Sequence, residues 1–196
     1  MFTIIVILVI VCGALYLWYA SIVTRKNAVL EALGGVDAQL QQRHDLIPNV
    51  LTIAKTFMAH ETELFSRIAR LREAASAHLG DKDFSRVGDK LTIEKQLGAE
   101  VGRLFARAEA YPELKSDATM IEAQRSYQDV ETNIAAARRF YNTAVGDLRN
   151  AIQIFPGPML ARAAGVEATP PFFQADQEAR APVSAATFFP TAPPNG

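Results

Sequence analysis

A chain of 196 residues with net charge −1 and a 49% hydrophobic share has material for one domain with a real core. Its acidic and basic residues are interleaved rather than blocked, so it lacks the cationic footprint that phosphate backbones demand, and nucleic acid is not an expected partner. The single cysteine, Cys12, excludes an intramolecular disulfide and a thiolate metal site.

Residues 2–23 contain no charged side chain. As a helix they extend ~33 Å, against ~30 Å for the hydrocarbon core of a bilayer, so residues 1–23 are read as a transmembrane anchor. No basic residue precedes the run, and Tyr16, Trp18 and Tyr19 stand where a cleavable signal needs small residues, so the anchor is expected to be retained. The same aromatics favour a membrane–water interface. Arg25 and Lys26 follow at once, which places the short N-terminus outside and the body of the chain in the cytoplasm of a single-pass cell-membrane protein. Cys12 is read as a small packing residue facing lipid or a neighbouring helix.

The segment from 25 to 44 carries Leu30, Leu33, Val36 and Leu40 at helical spacing. The chain is then expected to restart near Asp45 as an N-cap, because Pro48 fits a first turn but breaks a helix interior. Beyond it, Ile47, Val50, Ala54, Phe57, Leu64, Ile68, Leu71 and Ala75 alternate steps of three and four with only Glu61 interrupting, which predicts one long helix. Leu51, Met58 and Phe65 broaden that stripe beyond a single seam and suggest a face for self-association. Residues 78–83, with Gly80, read as a connection, and Asp83 as the cap of the helix bearing Leu97, Val101, Leu104, Ala108 and Tyr111. Pro112 ends that helix. Ser116 is expected to begin the next, with Asp117 near its positive end. That last helix carries Tyr127, Val130, Ile134, Ala137 and Tyr141, then Val145, Leu148, Ile152 and Phe155, with one four-residue stutter of the coiled-coil kind.

The predicted fold is therefore all-α. An N-terminal transmembrane helix precedes an antiparallel bundle of about four long helices (24–165) ending in a short helix at 158–164. That helix is begun by proline and stopped by Gly165. A Pro-rich tail (166–196) follows. Its composition suits an extended chain, whereas the pairs Phe172-Phe173 and Phe188-Phe189 suit docking onto the bundle or onto a neighbouring copy.

Catalytic patterns are wanting. His60-Glu61 opens like a zincin helix, but Leu64 stands where the second histidine belongs. His44, His60 and His78 are widely spaced and read as surface or bundle-edge residues. No glycine-rich phosphate loop or nucleophile elbow is present. Arg138 and Arg139 project about 100° apart on a helix and do not form a ready clamp. One is expected in a bundle salt bridge and the other in solvent. No catalytic, cofactor-binding or metal site is expected.

The strings Arg43-His44-Asp45-Leu46-Ile47-Pro48-Asn49-Val50 and Ala137-Arg138-Arg139-Phe140-Tyr141-Asn142 resemble the two signatures of the LemA family. The order of lesser matches agrees, from Arg25 and Asn27 through Tyr111-Pro112-Glu113-Leu114-Lys115 to Ile152-Gln153-Ile154-Phe155-Pro156. Departures are Leu33-Gly34-Gly35 after Glu31-Ala32, a single basic residue with His44 before the Asp45 string, and a longer tail. The resemblance implies a membrane-anchored helical bundle without assigned activity, in which Arg43, Asp45, Pro48, Asn49, Arg138, Arg139, Tyr141 and Asn142 are the motif positions. The expected role is a non-enzymatic scaffold whose partners are the lipid bilayer and further copies of itself. The competing roles are an adaptor for other membrane proteins and, behind it, an enzyme of unknown type.

Overall fold

The computed structural model describes residues 1–81 and 83–173, all helices and turns. One helix, α1 (Phe2–Phe57), carries the uncharged stretch and continues unbroken into the folded body. At ~1.5 Å per residue it is ~84 Å long. Its N-terminal part is exposed and is long and apolar enough to cross a membrane. After it come α2 (Thr62–Ser76), α3 (Val87–Ala108), the short α4 (Pro112–Ser116), α5 (Ala118–Gln153) and the single turn α6 (Gly157–Leu160).

Side-chain pairs fix the directions. Trp18 meets Ala151 and Arg43 meets Glu131, so α5 runs antiparallel to α1. Asp37 and Arg43 of α1 meet Lys90 and Glu94 of α3, so those two are parallel. Glu61 meets Arg107, and Arg67 meets Glu100, which makes α2 antiparallel to α3. The result is an up-down-up-down four-helix bundle in which α2 and α3 flank only the part of α1 farther from the apolar stretch.

The core divides accordingly. One cluster, with Ile47, Val50, Ala54, Ile68, Leu97, Leu104 and Tyr127, fills the four-helix half. The second, with Ile22, Val29, Leu33, Leu40, Ile134, Tyr141 and Leu148, lies mainly between α1 and α5 and is completed by Val87 at the start of α3 and by Ala164 and Val166 of the C-terminal segment.

Several boundaries correct the sequence reading. Asp45 is not an N-cap: α1 passes through it, and Asp45 accepts a hydrogen bond from Gln41 Nε2 (2.8 Å). Pro48 is tolerated because the carbonyl it deprives, His44 O four residues earlier, accepts from Arg72 Nε of α2 (2.8 Å). Arg72→Met is expected to cost about 2 kcal/mol in chemical denaturation, since that carbonyl is left without a partner. The predicted helix across Glu61 is two helices. Met58 closes α1, and Glu61, barred by its charge from the apolar row, turns to Arg107 (2.6 Å) at the start of α2.

Asp83 does not cap α3, which starts at Val87. It instead holds a preceding turn, accepting from the Ser85 N–H and hydroxyl. Asp117 rather than Ser116 caps α5, accepting from Met120 N (2.8 Å), while Ser116 ends α4. The short C-terminal helix is the turn α6, and Gly165 leaves it at φ +69°. Leu51, Met58 and Phe65 are buried within the chain's own core rather than on an outer face.

Gly34 and Gly35 sit in α1 with open space where a Cβ would stand. Gly35→Ala is expected to stabilise by about 1 kcal/mol, read from the denaturation midpoint, because helix propensity improves with nothing to clash against.

Candidate functional site

Between the two apolar clusters lies a layer of buried charge. Arg43 reaches it from α1, and its guanidinium forms an ion pair with Glu94 of α3, donates to the Glu94 carbonyl (3.1 Å) and pairs with Glu131 of α5 (2.9 Å). Arg43 and Glu94 are each about 1% exposed. His44, which is wholly buried, brings Nε2 to 3.1 Å from the Glu94 carboxylate and Nδ1 to 3.1 Å from Ser76 Oγ of α2. Because an ionised carboxylate only accepts, Nε2 is the protonated nitrogen in that contact. Glu94 of α3 thus binds two residues of α1, and these carry the network on to Glu131 of α5 and Ser76 of α2.

Gly98 makes room for the cluster, since a Cβ there would lie 3.3 Å from Arg43 Nη1. One helical turn nearer the apolar stretch, buried Lys90 pairs with Asp37, whose other oxygen accepts from Gly80 N (3.0 Å). Gly80 turns there at φ +76°.

Burial opposes the charge on Glu94, but the His44 hydrogen bond and the Arg43 guanidinium outweigh it and hold the carboxyl below its ordinary range. Burial opposes the charge on Arg43 too, and the surrounding Tyr127, Glu131 and Glu94 raise it nonetheless. Tyr127, stacked edge-on against Phe105 at 5.3 Å, has its phenol pushed up chiefly by burial. These groups spend their charge on one another. His44 and Glu94 are enclosed by packed helices, and the pairs tie α1 to α3 and α5 at one level.

A second constellation holds the C-terminal segment. Tyr141 Oη donates to Pro171 O (3.1 Å), Asn142 Nδ2 donates to Phe173 O (3.0 Å), and Phe173 N donates back to Asn142 Oδ1 (2.9 Å). The Phe173 ring meets Tyr141 edge-on at 5.1 Å and lies under Arg138, while Arg149 covers Phe172 at 4.3 Å. Burial raises the Tyr141 phenol to about 12.

Phe172 and Phe173 are therefore placed on this chain's own α5. Phe188 and Phe189 lie outside the described residues. Arg138 is half-buried over the strap and Arg139 is exposed. Asp45, Pro48 and Asn49 share an exposed face of α1, away from the buried layer. His44, expected at the surface, is instead a core residue. His60 is exposed and His78 half-buried, as bundle-edge positions.

At the far end of the bundle an open groove of about 700 Å³ is lined by Glu61, Glu63, Arg67, Glu100, Arg103 and Arg107. Its charges are matched internally, with Arg107 on Glu61 and Arg103 on Glu100 at 2.6 Å and Arg67 on Glu63 at 2.8 Å. Among the described residues no group of three His, Cys, Asp or Glu side chains is arranged to hold a metal ion.

The architecture defines an all-α bundle borne on a helix able to cross a membrane, locked by a buried charge layer and closed by a C-terminal strap. Residues 32–186 match the model of the LemA family, and the chain belongs to that family. No curated protein matches it. Both signature strings occupy structural positions here: the first supplies Arg43, His44 and Pro48, the second Tyr141 and Asn142.

Proposed function

We propose that this protein is a non-enzymatic, single-pass membrane scaffold that presents its bundle at the cytoplasmic face and works as a homo-oligomer. The observation that carries this reading is the continuity of α1, whose exposed apolar part and buried bundle face belong to one helix without a linker. A continuous helix transmits position and rotation from the bilayer to the bundle, which a flexible tether does not. The orientation is supported by Arg25 and Lys26 directly after the uncharged stretch. In this reading copies meet through the apolar part of α1, since Leu51, Met58 and Phe65 are already buried within one chain.

That same burial favours a second reading, in which the polar bundle surface is an adaptor for another membrane protein. Crosslinking in native membranes separates the two. A scaffold gives a ladder at multiples of its own mass, and an adaptor gives one dominant heterologous product. A strict monomer at all concentrations in mild detergent, together with no self-crosslink in membranes, rules out the oligomer. Protease accessibility of the bundle in intact cells tests the sidedness.

A further inference from the structure

We infer that the elbow between α5 and α6 is a second membrane contact, lodged in the headgroup and upper acyl region of the bilayer that α1 crosses. The inference rests on the anchor reading above and adds a site to it. Its depth is set by two hydrogen-bonded anchors. Trp18 Nε1 donates to Ala151 O (3.1 Å), and Lys26 Nζ donates to Gly165 O (2.9 Å). The chain between them leaves α5 at the level of Trp18 and returns to the level of Lys26. Because α5 is antiparallel to α1, its end beyond Ala151 points toward the apolar stretch, and the elbow at 154–159 is where the chain turns back.

The surface presented there is the wrong one for water. Phe155 is 77% exposed, Met159 74% and Ile154 57%, with Pro156 and Pro158 between them. Scattered apolar residues need no explanation, but here three large exposed ones fall within six residues on one elbow, beside an uncovered apolar helix. Charge follows the same boundary. No Asp or Glu occurs in residues 1–30 or 148–166, and the charged residues in those stretches are Arg25, Lys26, Arg149 and Arg162. Basic residues flanking an apolar, carboxylate-free segment are the pattern of chains seated at an anionic membrane surface.

The backbone is prepared for it as well. The prolines bring no N–H, and the N–H groups of Gly157, Met159 and Ala161 donate to Ile154, Pro156 and Gly157 carbonyls at 2.7, 3.1 and 2.9 Å. Few donors are left to demand water, as a low-polarity setting requires. The elbow is also tightly seated: a Cβ at Gly157 would fall 2.0 Å from Ala151 O, the carbonyl that Trp18 already holds. The occupant is lipid, by continuity with the apolar face of α1.

The test uses the full chain, with Cys12→Ser, reconstituted into phosphatidylcholine–phosphatidylglycerol vesicles. Nitroxide labels are placed singly at Phe155→Cys, Met159→Cys, Ile10→Cys within the uncharged stretch and Gln128→Cys on the exposed face of α5. Power saturation then compares collision with oxygen, which concentrates in lipid, and with a water-soluble nickel complex. Labels at 155 and 159 are expected to be oxygen-dominated at a shallower depth than 10, with 128 nickel-dominated. Nickel-dominated labels at 155 and 159 beside an oxygen-dominated 10 overturn the inference and leave the anchor intact. Labels at 155 and 159 shielded from both reagents show a protein covering the elbow and also overturn it. A nickel-accessible label at 10 overturns the anchor reading, and the inference with it.

Discussion

Glu94→Gln is expected to lower the stability of the bundle by about 3 kcal/mol, the range in which removal of one member of a buried ion pair falls. The substitution keeps the shape of the side chain but leaves Arg43 with Glu131 as its one carboxylate partner, and a single neutral amide oxygen must then serve both the guanidinium and His44 Nε2. Chemical denaturation in mild detergent, followed by the helical circular dichroism signal, reads the effect. The double variant Arg43→Met with Glu94→Leu should lie closer to the parent than either single change, because no uncompensated charge is left inside and Glu131, partly exposed, can turn to water. A double variant that loses the sum of the two singles would show that the pair is not coupled.

The pH dependence has a fixed sign. The Glu94 carboxyl is held below its ordinary range in the native state, so its stabilisation is complete above the unfolded value of about 4.3 and fades as pH falls through the lower native one. Acid should therefore destabilise the parent more steeply than Glu94→Gln across that window, and parallel curves would contradict the assignment.

What the sequence disclosed was whatever a helical repeat encodes on one strand of text. The α5 row from Tyr127 to Leu148 is buried where its spacing demanded, save half-buried Ala137, and the uncharged stretch lies exposed on a single helix. The charge layer also left a trace: Lys90 and Glu94 stand in phase with Leu97, Val101 and Leu104, and Arg43 stands in phase with Val36, Leu40 and Ile47. Charged residues at core register are either errors of phase or partners of one another, and only the neighbouring helix decides which. The passage of α1 through Pro48 was illegible for the same reason, since the relieving donor, Arg72, comes from another helix. Glu61 was visible as the one lapse in an otherwise regular stripe, yet with neither Pro nor Gly beside it the reversal had no local signature. The Phe172-Phe173 pair stood out by composition, while its receptor on α5 was a product of folding.

Asn142→Ala is expected to release the strap. In the parent the Asn142 amide closes a two-bond ring with the Phe173 backbone, donating at 3.0 Å and accepting at 2.9 Å. Two hydrogen bonds of about 1 kcal/mol each give ~2 kcal/mol in favour of the undocked segment, roughly a thirtyfold shift in the local equilibrium. The need for a strap follows from the architecture. Toward the apolar stretch α2 and α3 give out, with only the start of α3 at Val87 still joining the α1–α5 cluster, and the apolar face at Tyr141 takes a further cover. Phe173 supplies part of it, edge-on to Tyr141 at 5.1 Å. Native-state hydrogen exchange at Phe173 N–H should therefore accelerate by about thirtyfold in Asn142→Ala, while amides in the α1–α3 half stay protected, because local opening need not involve the other cluster. Asn142→Asp keeps an acceptor for Phe173 N–H but sets a carboxylate against Phe173 O, so it should fail to restore protection. Unchanged exchange in both variants would mean that ring packing alone holds the segment, in which case Phe173→Ala must release it instead.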